Sequence, residues 1–124
     1  MILSQQKLKV KVATHALDQY GYLVGKDVDC AADINTMFGD DEVKALITSR
    51  GGWGSSRILS LLDYNLIRKN PKIIIGYSDI TALLLAIYAG SGLVTFHCSS
   101  ATSIWNKFSV AYLKDILFEG KAMT

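Results

Sequence analysis

Two short stretches hold the residues best suited to chemistry: "GYSDIT", from Gly76 to Thr81, and "SRGGWGSSR", from Ser49 to Arg57. In the first, Ser78 stands where an apolar run, "KIIIG", gives way to helical periodicity. A sharp strand-to-helix turn of this kind lifts a hydroxyl clear of the sheet, as a nucleophile requires. Gly76 lies two residues before Ser78, as the first glycine of G-x-S-x-G does, whereas Ile80 fills the place of the second. The same serine would serve equally well as a helix cap, with Asp79 and Thr81 as rivals for that role. In the nucleophile reading, the amide of Asp79 faces the same space as the hydroxyl and offers one donor of an oxyanion hole.

The second stretch is glycine-rich. Gly51, Gly52 and Gly54 allow a tight turn and leave amides pointing outward, and Ser55 or Ser56 can cap a following helix. With Arg50 and Arg57 flanking the glycines, an anion- or oxyanion-binding loop is expected ahead of a plain turn. As a dinucleotide fingerprint the stretch fails, because Arg57 occupies the third glycine position and no acidic residue ends a second strand. A serine nucleophile also needs a base and a partner to orient it. His97, in "TFHCSS", reads either as that base at a third strand exit or as a structural histidine satisfying loop carbonyls. His15 reads as an exposed loop residue. No complete triad assembles from these residues.

The elements that must position these groups follow from periodicity. Alternation in "KLKVKVAT" (Leu8, Val10 and Val12 against Lys7, Lys9 and Lys11) predicts a strand near a sheet edge. A loop is expected at "DQYGYLVGKD", then a short helix at "DCAADINTMFGD" with Asp29 as N-cap and Gly39 as its stop. A buried strand is predicted around Ala45–Thr48, and a helix across "SRILSLLDYNLIRKN" that Pro71 ends. "KIIIG" fits a central parallel strand covered on both faces. A helix over "DITALLLAIYAG", a strand at "GLVTFH" and an amphipathic helix over "SVAYLKDILFEG" complete the chain. Alternating strands and helices imply an α/β domain: a three-layer, mostly parallel sheet of about four strands with helices on both faces.

Composition narrows the function classes. The chain has 124 residues, half of them hydrophobic and 19% charged, which suits one domain, 1–124, with a real core. The formal net charge of +2 and scattered basic residues do not form a nucleic-acid surface. The longest apolar stretch, "ITALLLAIYAGSGLV", is too short and glycine-broken to span a bilayer, and "MILSQQKLKVKV" lacks the apolar core of a signal peptide. Cys30 and Cys98 form no metal or redox motif, so a reduced, cytoplasmic setting is expected.

With these motifs in view, the chain closely resembles the LD-carboxypeptidase family of serine peptidases, which includes murein tetrapeptide carboxypeptidases and microcin self-immunity enzymes. The resemblance runs from about Gly21 to Ser99 and is carried by the paired RGG(W/Y)G and GYSD motifs. It implies that Ser78 is the nucleophile, and that the amides of Asp79 and of a loop glycine, foremost Gly52, form the oxyanion hole. It places Arg50, Gly51, Trp53 and His97 on the substrate side. The implied reaction removes a terminal D-alanine from a murein tetrapeptide with a Ser–Glu–His triad, no metal and no cofactor. The usual setting is murein recycling in the cytoplasm, and the family form is a homo-oligomer.

The chain also departs from the family pattern. The triad glutamate and histidine belong to a C-terminal domain that these residues do not include. The family's opening strand and helix are expected to have no counterpart within these residues. Cys98 and Ser99 follow His97 where HGP is common, and Cys30 replaces a usual arginine. The expectation is therefore an incomplete, truncated or split N-terminal nucleophile domain, inactive alone, with a separately encoded C-terminal domain as a candidate partner. The alternative is a non-catalytic remnant or small-anion-binding module.

Overall fold

Three consecutive isoleucines form the centre of the sheet. In the computed structural model, which describes residues 6–18 and 25–121, β1 (Ala45–Ile47), β2 (Ile73–Gly76) and β3 (Phe96–His97) pair in parallel with β2 in the middle. Leu46 lies opposite Ile74, and Gly76 opposite His97. Side chains alternate between faces along a strand. Ile74 and Ile75, 1% and 5% exposed, thus show that both faces of β2 are covered. That is the environment a β-branched, uncharged run requires.

Against the Ile74 face pack α1 (Asp27–Gly39), α2 (Tyr64–Lys69) and α3 (Ile80–Ser91). Ala31 and Phe38 of α1, Ile67 of α2 and Leu83, Leu84 and Ile87 of α3 form one core with Ile58 and Leu62 from the turns between them. The last element, α4 (Lys107–Leu113), runs on into a π-helical turn at Lys114–Phe118. This is the α/β architecture expected, with three parallel strands among the described residues.

Several local expectations are corrected. Residues 8–13 join no strand among the described residues, and Leu8, Val10 and Val12 are exposed. Alternation specifies which face would be buried but supplies no neighbouring edge; Lys11 instead forms an ion pair with Asp40. The helix expected from Ser56 is interrupted: Ser55–Arg57 and Leu59–Leu61 form 3-10 turns, and α2 starts only at Tyr64. Asp63 causes the restart, since its carboxylate accepts the Leu66 amide at 2.9 Å and caps α2. Lys26, not Asp29, occupies the N-cap position of α1, leaving Asp29 in the first turn where its charge suits the helix dipole. Most of the loop expected after Asp18, residues 19–24, lies outside the described residues.

His15 is half-buried and held, contrary to the exposed position expected. Its backbone amide donates to Asp33 Oδ2 and its Nδ1 meets Asp33 Oδ1, each at 2.8 Å. The hydrogen bond to Asp33 raises the His15 pKa above 6.5, against a smaller opposing effect of desolvation. A group with a raised native pKa stabilises the fold fully below its unfolded value, and loses that contribution as pH climbs through the native value. His15 should therefore titrate above 6.5 by NMR, with stability declining as pH rises through that value. Asp33→Asn should return the ring to its ordinary titration and flatten this part of the profile; an unchanged His15 titration in Asp33→Asn would contradict the pairing.

Candidate active site

All three strands direct their carboxyl ends at one edge, where ligands bind in open α/β sheets. There β2 turns into α3 within three residues, Tyr77, Ser78 and Asp79. Ser78 has φ 61°, in the left-handed region that costs an L-residue about 1–2 kcal/mol. So tight a reversal brings α3 back over the strand it has just left. A Cβ on Gly76 would stand 2.4 Å from Ile80 Cγ2 and 2.8 Å from Thr48 Oγ1, so only glycine fits there.

Ser78 is exposed, and its hydroxyl has no hydrogen-bond partner among the described residues. The first turn of α3 has no side-chain cap from Asp79 either. The helix-cap alternative therefore does not describe this corner. The amide of Asp79 is likewise without an acceptor among the described residues, and it opens a 12-residue helix whose N-terminus favours negative charge.

The glycine-rich loop crosses directly over the elbow. A Cβ on Gly51 would lie 3.0 Å from Ser78 Cβ, 3.3 Å from its Oγ and 3.6 Å from the Asp79 nitrogen. Gly51 thus makes the close approach, while nothing stands within 4 Å of the corresponding point on Gly52. Gly52 contributes the next amide along the chain, one peptide unit from the contact. Trp53, at the loop tip, is 87% exposed. Arg50 is exposed, whereas Arg57 is paired with Asp27, Nε to Oδ2 3.0 Å.

A second loop closes the edge. The Cys98 amide donates to Gly76 O at 2.9 Å and the Ala101 amide to Thr48 O at 2.9 Å. Thr102 donates to Ser49 O through both its amide, 3.2 Å, and its hydroxyl, 2.6 Å. His97 is exposed at the end of β3, beside Gly76 in the sheet. No hydrogen bond joins it to Ser78 among the described residues. No disulfide links Cys30 and Cys98, and burial raises the Cys30 thiol pKa, which disfavours its reactive thiolate form. A concavity of about 280 Å³ lined by Asp41, Val43, Lys44, Asn70, Pro71 and Lys72 lies at the other, amino end of β1 and β2. There Lys72 Nζ bridges Asp40 O and Val43 O, both at 2.6 Å, and serves the fold.

Comparison with known proteins shows which family the whole chain resembles. Residues 1–98 fit the model of the LD-carboxypeptidase N-terminal domain. The chain belongs to the LD-carboxypeptidase family. It is 50% identical over 97 residues to a probable murein peptide carboxypeptidase of Bacillus subtilis, covering 78% of this chain and 30% of that protein. Among solved structures, an MccF-like protein of Bacillus anthracis superposes with a TM-score of 0.88 at 35% identity, over 93% of this chain and 36% of that one. The microcin C7 self-immunity protein MccF, in complex with aspartyl sulfamoyl adenosine, superposes with a TM-score of 0.85 at 29% identity, over 98% and 38% of the two chains. The chain thus spans about a third of the length of the relatives it matches.

What the sequence did not disclose is the side chain of Asp79. Its Oδ2 accepts the amide of Ser55 at 2.9 Å, across 24 residues, and Ser55 itself is buried. The only local signal was an acidic residue at a helix start, which ordinarily indicates a cap.

The strain at Ser78 gives a direct test of the elbow. Glycine at an unstrained position costs about 0.5–1 kcal/mol relative to alanine, but here it would relieve a left-handed backbone. Ser78→Gly should therefore be at least as stable as Ser78→Ala in urea denaturation, exceeding it by about 0.5–1 kcal/mol. A Ser78→Gly variant less stable by the ordinary glycine cost would contradict the left-handed turn.

Proposed function

We propose that this chain is the nucleophile domain of a serine-type LD-carboxypeptidase acting on a murein tetrapeptide or related peptide. The observation that carries the reading is the strained elbow, where the exposed Ser78 hydroxyl and the open Asp79 amide meet Gly51 of the glycine loop. A backbone held in a costly conformation at a strand exit, with donors already in place, is the arrangement acyl transfer uses.

In this reading Ser78 Oγ attacks the carbonyl carbon of the bond to the terminal D-alanine, giving up its proton to a histidine base. The carbonyl oxygen becomes an oxyanion held by the Asp79 and Gly52 amides, at the positive end of the α3 dipole. The tetrahedral centre then collapses, the C–N bond breaks, and D-alanine leaves with the proton the histidine returns. Water hydrolyses the acyl-enzyme and frees Ser78. Arg50 offers a cation to the substrate's terminal carboxylate, and Trp53 and His97 border the entry. By the family resemblance, the base and its orienting glutamate belong to the family's C-terminal domain. Murein recycling in the cytoplasm is the setting this reaction fits, and exposed apolar residues such as Leu85 and Tyr88 of α3 suit self-association.

Without a base the serine stays protonated, and an oxyanion hole with binding alone leaves roughly 10³–10⁴-fold catalysis over water in a worked protease. The 124-residue chain alone should release no measurable D-alanine from an L,D-linked tetrapeptide by mass spectrometry. Supplying the C-terminal domain in trans should restore release, Ser78→Ala should abolish it, and His97→Ala should leave a substantial part. Strong turnover by the chain alone that is lost in His97→Ala would make His97 the base; no turnover under any combination would favour a non-catalytic module.

A further inference from the structure

An acidic residue at a helix N-cap position ordinarily turns its carboxylate onto its own helix, accepting an amide of the first turn. Asp79 does not. It sits at the N-cap of α3 with no side-chain bond to that helix, and its carboxylate reaches instead to the amide of Ser55 at 2.9 Å. A local preference set aside at a functional corner calls for a compensating role.

That role is visible in how the glycine loop is held. At its near end, Thr102 places two donors on Ser49 O. At its far end, Ser55 is held through its amide by Asp79. Between these anchors, the amides of residues 50–54 donate to no acceptor among the described residues. The span is thus clamped at both ends and open in the middle, over the hydroxyl of Ser78. Three glycines in these five residues give it little stiffness of its own, so its position over Ser78 depends on the clamps.

We propose that the Asp79 carboxylate is a positioning residue: through Ser55 it sets the height of the Gly51–Gly52 peptide above Ser78. The inference builds on the peptidase reading of this site and adds a second role to Asp79, whose backbone amide faces the same space. One residue thereby links both donors of the oxyanion hole, one through its own N–H and the other through the loop it holds.

Hydrogen exchange by NMR on the chain itself tests the clamp without requiring catalysis. A charge-assisted hydrogen bond to an amide is worth about 1.5–3 kcal/mol, so Asp79→Ala should speed Ser55 exchange at least about tenfold. Amides in the middle of α3 should keep their rates. Asp79→Asn, which retains an acceptor oxygen, should recover most of the protection. In the reconstituted peptidase, Asp79→Ala should lower kcat with little change in KM, and Asp79→Asn should rescue it. Unchanged Ser55 exchange in Asp79→Ala, or equal acceleration throughout α3, would overturn the clamp. If the wild-type pair shows no turnover, the peptidase reading fails, while the exchange data still decide the clamp.

Discussion

The site depends on one residue held on the wrong side of the backbone map. Ser78 at φ 61° turns the chain from β2 into α3 in three residues, and the neighbouring constraints follow from that turn. The returning helix leaves no room for a Cβ at Gly76. The hydroxyl it exposes is overlain by a loop in which a Cβ at Gly51 would stand 3.0 Å from Ser78 Cβ, tighter than ordinary contact. The strain is affordable because β2 lies in the middle of a parallel sheet and α3 is anchored in the core by Leu83, Leu84 and Ile87. Packing that costs nothing special elsewhere in the fold thus maintains a conformation that would relax on its own.

The same arrangement explains why the glycine loop and the elbow belong together. In the proposed reading, a nucleophile on a strained turn is of little use unless the developing oxyanion meets donors already in place, because donors that must reorganise contribute much less. Asp79 belongs to both parts, with its amide at the start of α3 and its carboxylate on Ser55. Thr102 and Cys98 tie the loop after β3 to the ends of the other two strands, so all three strand exits are bonded into one rim.

Much of this was legible in the sequence where short-range rules suffice. "KIIIG" followed at once by helical periodicity indicated a buried central strand and a serine at its exit, because burial on both faces and the onset of a 3.6-residue period are local properties. The glycine-rich loop was legible for the same reason. The alternating lysines and apolar residues after Lys7 misled, since periodicity cannot say whether a partner strand lies alongside. Asp63 reset a helix that apolar spacing alone would have continued. The close approach of Gly51 to Ser78, the pairing of His15 with Asp33 and the reach of Asp79 to Ser55 are all contacts across many residues, fixed by packing and invisible to spacing.

The central proposal is that Ser78 supplies the attacking oxygen, held in place by its elbow independently of any base. Covalent capture tests it most directly. With the C-terminal domain supplied, a peptidyl fluorophosphonate should transfer its phosphoryl group to Ser78 Oγ as fluoride leaves, and peptide mapping by mass spectrometry should find the adduct on Ser78 alone, absent in Ser78→Ala. An adduct on another serine, or one that persists in Ser78→Ala, would contradict the account.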